Sequence, residues 1–325
     1  MEETLESLLD HLHSSPPRKA EDWRGWRITP VAETTSGTTY RVEGDGEPLG
    51  VKFATRDCFD RAGTEYGCLS ALRATNLRIA PEPVLLETGR YSLPVIVRTW
   101  LYGQIVESIP EDDRSWAAIL QHLLAVHSLT PEAVLEEIAA SVPAAALTAR
   151  SAWEALTQLR DHLARELPSG GAPGELTSLI EQIERTEQSS WPQPQPTLCR
   201  GDLNRYNFVL QQDQVGVRCL SFDWEYGGWG DPAFEVASLI SAPTMVKMSH
   251  ERKEWLIAEY AARSADETVA SRIRTYYPMV LAWWAIRFAR FLAQRPPEDE
   301  GHRLPNQTAY ERYLSMAEGA VQRLP

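Results

Sequence analysis

The most chemically loaded stretch of the sequence is Cys199-Arg200-Gly201-Asp202-Leu203-Asn204-Arg205-Tyr206-Asn207, followed by an apolar run and then Ser221-Phe222-Asp223-Trp224-Glu225. It sets two carboxylates and an amide on loops that flank a hairpin. Phosphoryl transfer needs that set: a carboxylate to orient and deprotonate a hydroxyl, and hard oxygen ligands to hold Mg²⁺ against a triphosphate. Asp202 suits the first task. Asn207, five positions later, offers metal a neutral carbonyl oxygen, and Asp223, at the end of the next strand, offers an anionic one. Arg200, Arg205 and Glu225, close by in sequence, are candidate accessory groups.

These residues need a scaffold, and the hydrophobic pattern supplies one in two textures. Leu5, Leu8, Leu9 and Leu12 fall at helical spacing before Ser14-Ser15-Pro16-Pro17, which predicts a short lead-in helix. From Trp26 to Val97 the chain reads as short β-rich runs interrupted by one helix over about Asp57 to Ala74. Beyond Gly103 it is mainly helical, with long stretches expected near 112–128, 145–167 and 270–294 and a strand pair, NFVLQ and GVRCLSFDW, in the middle. Strands segregated before helices predict an α+β fold with a β-rich N-terminal lobe over residues 1–98 and a mainly helical C-terminal lobe over residues 99–325. The crevice between such lobes is the expected ligand site.

The catalytic stretch resembles the aminoglycoside phosphotransferase and choline kinase superfamily, whose loop reads H-G-D-x-x-x-x-N and whose metal site follows as [IV]-D-[FW]-[ED]. Asp202, Asn207, Asp223, Trp224 and Glu225 match position for position, and Gly230-Asp231-Pro232 through Ala237 resembles the family's G-D-P-x-x-[DE]-[LV]-A. The departure is Arg200 where the family has His; the protein-kinase loop H-R-D also sets an Arg beside its Asp. An Arg there can brace the loop through carbonyl or carboxylate hydrogen bonds. The resemblance spans roughly residues 25 to 290.

It implies a two-lobed protein-kinase-like fold and a magnesium-dependent kinase that moves the γ-phosphate of ATP or GTP to a hydroxyl of a small metabolite or antibiotic. The acceptor would be aminoglycoside-like, nucleoside-type or an amino alcohol, and antibiotic resistance is one biological role of that kind. The implied nucleotide lobe is the N-terminal one. Val51-Lys52-Phe53 is similar to the V-A-I-K strand whose lysine reaches phosphates, and Glu65 in the following helix is its expected partner. Ser36, Gly37 and Thr38 resemble the phosphate-covering hairpin, and Arg98, Thr99 and Trp100 resemble the connector whose backbone meets the base. Trp283, Trp284 and Arg287 are candidate acceptor contacts. A nonenzymatic nucleotide-binding protein on the same fold is the alternative, motivated by Arg200 and a hairpin with a single glycine.

Composition narrows the field. With 32 Lys and Arg against 45 Asp and Glu, the formal charge is -13 and no basic run exists to track a polyphosphate, so nucleic acid is not an expected partner. Glu225, Asp231 and Glu235, near the catalytic loop, suggest an acidic cleft that would favour a neutral or cationic acceptor. Cys58, Cys68, Cys199 and Cys219 form no CxxC or zinc spacing and read as buried thiols of a reducing compartment. No run is apolar enough to span a bilayer, which leads to the expectation of a cytoplasmic monomer or homodimer without membrane contact. His122 and His127 are read as structural.

Overall fold

A computed structural model describes residues 4–168, 171–186, 191–212, 214, 216–294 and 300–324, with side chains in the last segment described from 305 onward. The chain forms two compact units. One comprises Met1–Ala146, Arg200–Asp202 and Tyr206–Trp229; the other comprises Leu147–Cys199, Leu203–Arg205 and Gly230–Pro325.

The first unit opens with helix α1 (Leu5–Ser14), started by Thr4, whose hydroxyl accepts the Ser7 amide hydrogen at 3.3 Å. Strands β1 (Glu21–Trp23), β2 (Trp26–Thr34), β3 (Gly37–Glu43), β4 (Leu49–Ala54), β5 (Pro83–Glu87) and β6 (Val95–Thr99) form a six-stranded antiparallel sheet in the order β1-β2-β3-β4-β6-β5. Successive side chains on a strand take opposite faces. Tyr40 and Val42 on β3, Val51 and Phe53 on β4, and Val95 and Val97 on β6 all pack with Leu8, Leu9 and Leu12 of α1. Gly50, Lys52, Ile96 and Arg98 are therefore left on the other face, and the lead-in helix fixes which face carries the lysine.

Helix α2 (Arg61–Ala74) begins four residues later than the sequence pattern suggests, because Asp60 caps it by accepting the Gly63 amide hydrogen at 3.1 Å. Next come β7 (Gln104–Ile105), α3 (Asp113–His127) and a short α4 (Glu136–Ser141), the last not evident from periodicity. β9 (Phe208–Gln212) and β10 (Val217–Ser221) are the expected hairpin, and β7 adds to it as a third strand. α3 packs on β10, where His122 Nδ1 lies 3.2 Å from the Cys219 carbonyl oxygen, a structural contact as expected.

The second unit holds β8 (Thr197–Cys199) and helices α5 (Ala152–Glu166), α6 (Gly174–Arg185), α7 (Pro232–Ser241), α8 (His250–Arg263), α9 (Val269–Gln294) and α10 (Glu300–Val321). α9 is its centre and packs against all five other helices. α5 starts at Ala152 rather than near 145, since Ser151 caps it through the Glu154 amide. The Gly230-Asp231-Pro232 motif is an helix start. Asp231 accepts the Ala233 amide hydrogen at 2.8 Å, and Pro232 occupies the first helical position, where its missing N–H costs nothing. Arg272 from α9 grips the same carboxylate with two bonds of 3.0 and 2.9 Å, both side chains fully buried.

Candidate active site

The chemistry-bearing residues of the first unit gather around Lys52. Its ammonium donates to Asp223 Oδ1 at 2.6 Å and to Glu225 Oε2 at 2.7 Å, and lies 3.4 Å from Glu65 Oε2. Glu65 is thus a partner, as the spacing suggests, but Glu225 is closer. Arg98 extends the chain of charges, with Nη1 3.3 Å from Glu65 Oε1, and Arg61 closes it by donating to Glu225 Oε1 at 2.7 Å and to the Tyr226 hydroxyl at 2.7 Å. Signs alternate along the chain, from Arg98 through Glu65 and Lys52 to Glu225 and Arg61, which is how so many charges tolerate burial.

Two of these roles are not legible in the sequence. Arg98 was expected to act through its backbone, whereas its side chain, only 7% exposed, anchors Glu65. Arg61 was not expected at all; the available signal was Asp57 one helical turn earlier, whose carboxylate receives Arg61 Nη2 at 2.5 Å.

The ionisation of the cluster follows from its geometry. Burial works against the Lys52 charge, but Glu65, Asp223 and Glu225 outweigh it and hold the ammonium above the ordinary lysine range. For Asp223 burial is likewise overcome, chiefly by Lys52, and its carboxyl sits below the ordinary value. Glu225 goes the other way, pushed up by burial and then by the negative charge of Asp223. Two carboxylates thus share one ammonium, and the second is held back by the first. That unbalanced pair of hard oxygens fits a divalent cation, which would relieve the repulsion, and Asp223 keeps 27% of its side chain exposed to meet one.

Local backbone geometry aims these groups. Asp223 has φ +64°, a left-handed conformation that few L residues adopt and that Asp tolerates better than most. Gly201 has φ +76°, and a Cβ there would come 2.1 Å from the Tyr226 carbonyl oxygen, so only glycine permits the turn into Asp202. Asp202 Oδ2 accepts from Asn207 Nδ2 at 3.0 Å, and the Asn207 carbonyl oxygen receives the Phe222 amide hydrogen at 3.1 Å. The loop with Asp202 is thereby tied to the residue preceding Asp223. Arg200, 1% exposed, braces the same place: Nη1 donates to the Phe222 carbonyl at 3.3 Å and the guanidinium lies 4.5 Å over the Phe208 ring.

Other expected residues lie elsewhere. Ser36, Gly37 and Thr38 form the β2–β3 turn, where the Ser36 hydroxyl meets that of Thr34 at 2.9 Å and the Ser36 carbonyl receives the Thr55 amide. Gly37, at φ +140°, would place a Cβ 2.1 Å from the Phe53 carbonyl oxygen. The amide hydrogens of Thr99 and Trp100 go to the carbonyls of Glu82 and Pro48, both at 2.9 Å, so a base would meet this segment through other groups. The Trp100 indole flanks Gly50 and stands 5.5 Å from the Arg41 guanidinium. Arg205 belongs to the second unit, where its side chain reaches the Thr244 carbonyl.

Trp283, Trp284 and Arg287 are also in the second unit. Trp283 stacks on His162 at 4.5 Å, Trp284 packs near Phe288 and Tyr313, and Arg287 lies over both indoles. Burial pushes His162 down to about 4, so this stack is with a neutral imidazole. The acidic residues expected to line an acceptor cleft are all buried, Glu225 at 4%, Asp231 at 1% and Glu235 at 3%, and the first two are held by arginines. Cys58 is exposed, unlike the other three cysteines.

Comparison with known proteins agrees with this fold. Among solved structures, a macrolide 2'-phosphotransferase from Brachybacterium faecium superposes with a TM-score of 0.61 at 18% identity, covering 94% of this chain and 98% of the other. A Plasmodium vivax ethanolamine kinase gives 0.58 at 14% identity over 97% and 89% of the two chains. Spectinomycin phosphotransferase, solved with ADP and spectinomycin, gives 0.61 at 10% identity over 99% and 100%. No curated protein matches the sequence. The fold is therefore protein-kinase-like, with a β-sheet N-terminal region and a helical C-terminal part. Residues 27–274 match the model of the phosphotransferase enzyme family, and the chain belongs to that family.

Proposed function

We propose that this phosphotransferase moves the γ-phosphoryl group of ATP or GTP to a hydroxyl of a small molecule, with Asp202 as the base. The observation that carries the reading is the join between the Asp202 loop and the Lys52 cluster through Asn207 and Phe222. Asp202 would orient the acceptor hydroxyl and take its proton as the oxygen bonds to the γ-phosphorus. The bond from that phosphorus to the β–γ bridging oxygen breaks, and the nucleoside diphosphate leaves with the electron pair. Lys52, kept charged by its three carboxylates, would turn to the phosphates. Asp223 and Asn207 would hold Mg²⁺, with Glu225 beside them, and the ion would neutralise charge on the phosphate oxygens.

Arg200 supports activity rather than decay, because it is built into the loop through Phe222 and Phe208. The acceptor we favour is a neutral polyhydroxylated or cationic molecule, aminoglycoside-like, nucleoside-type or an amino alcohol. Its support is the net charge of -13 rather than a local acidic surface. The test is a nucleotide-consumption screen with ATP and GTP against matched neutral, cationic and anionic hydroxylated compounds, with the product identified by mass. A phosphorylated small molecule is the expected result; transfer only to protein side chains, or only to anionic acceptors, would overturn the reading.

A further inference from the structure

A cavity lies wholly within the helical unit, between α8, α9 and the C-terminal end of α10. It encloses about 350 Å³. Its lining combines basic residues, His250, Lys253, Arg274 and Arg323, one acidic residue, Glu254, and apolar residues that include Ile240, Ile257 and Leu324. The cations are unequal in their partners. Arg274 donates to Glu254 at 2.9 Å and is thereby neutralised. Lys253 is 7% exposed, yet among the described residues its ammonium bonds only a phenol, the Tyr277 hydroxyl at 2.8 Å.

Burying an ammonium without a counter-ion is costly, and proteins ordinarily pair it. Here the charge that acts on it is another cation. Arg323 makes no salt bridge among the described residues, and its proximity adds to burial in lowering Lys253 to about 8. Burial likewise pushes Tyr277 up to about 12, so its phenol is not the missing anion. The start of α8 adds to the demand. His250, Arg252 and Lys253 outnumber Glu251 in its first turn, the end of a helix where exposed amides already carry partial positive charge.

We propose that this cavity binds a small phosphate monoester, its dianionic group between Lys253 and Arg323 and its organic part against Ile240, Ile257 and Leu324. Two cations that make no salt bridge among the described residues call for a dianion. The guanidinium fork and the two free hydrogens of the ammonium match phosphate oxygens. The apolar lining and the volume leave room for more than a bare oxyanion.

The test is calorimetric titration of the full chain with phenyl phosphate and, separately, with inorganic phosphate. Phenyl phosphate should bind more tightly than inorganic phosphate. Lys253→Met and Arg323→Gln should each weaken it by roughly tenfold or more, the scale of losing a hydrogen bond to a charged group. Lys52→Met, which alters the other unit, should leave this binding unchanged. Arg323 is exposed, so its variant tests the site even if Lys253→Met does not fold. Absence of binding, equal affinity for inorganic phosphate, or binding lost in Lys52→Met but retained in the Lys253 and Arg323 variants would overturn the proposal.

Discussion

Replacing Lys52 by methionine keeps the length and apolar body of the side chain and deletes only the charge that three carboxylates share. The cost follows from what each carboxylate retains. Glu65 keeps Arg98 at 3.3 Å and Glu225 keeps Arg61 at 2.7 Å, while Asp223 loses its 2.6 Å contact with Lys52 and is 27% exposed to water. Removing one member of a fully buried ion pair costs about 3–5 kcal/mol; with two of three partners still paired, we expect about 2–3 kcal/mol at pH 7. The deficit should depend on pH with a definite sign. Without the ammonium, burial and mutual repulsion raise Asp223 and Glu225 above their unfolded values, so the folded variant binds more protons than the unfolded chain and loses stability as pH rises from 5 to 7. The deficit should therefore be smaller at pH 5. Adding Glu225→Gln should return part of the loss by removing the like charge beside Asp223. Urea unfolding of the wild type, Lys52→Met and the double variant at both pH values measures this. A Lys52→Met variant within about 0.5 kcal/mol of wild type, or a deficit that grows towards acid, would refute the charge-sharing argument.

Arg200→Ala removes both the bond to the Phe222 carbonyl and the stack over Phe208; unfolding should show a loss of about 2–4 kcal/mol, and wild-type stability would remove Arg200 as a brace. Lys253→Met should stabilise the protein below pH 8. Burial holds the folded lysine near 8 against an ordinary 10.5, so the penalty for its charge is complete below 8 and fades as pH rises to 10.5. That is about 3 kcal/mol in total, read as the difference between the wild-type and variant stability-pH curves, and parallel curves would contradict it.

The sequence is most legible where chemistry and backbone demand coincide. Asp202, Asn207 and Asp223 can be picked out because their types and order suit one reaction, whereas the positive φ that requires glycine at 201 appears only in the fold. Lys52 and Glu65 are readable because a charge in an apolar strand needs a partner. The partners supplied from afar in sequence are not readable in this way. Glu225 lies 173 positions from Lys52 and Arg61 lies 164 from Glu225, and no local periodicity encodes such pairings. The same limit explains the acidic surface expected from Glu225, Asp231 and Glu235: composition registers their charge, but only the fold reveals that Arg61 and Arg272 have already claimed two of them. Helix starts erred by a few residues where a capping side chain, Asp60 or Ser151, overrode the apolar rhythm.

The central claim is that Asp202 activates the acceptor while Lys52, Asn207 and Asp223 serve the nucleotide and its metal. Asp202→Asn tests it most directly, since an amide oxygen can still accept the Asn207 bond and leaves the Lys52 cluster intact. Once an acceptor is in hand from the screen, turnover and nucleotide affinity should be measured on the same preparation. The account predicts turnover lower by about two to four powers of ten, the scale of a lost general base, with Mg-nucleotide affinity essentially unchanged. Near-normal turnover, or nucleotide binding lost in step with activity, would contradict it.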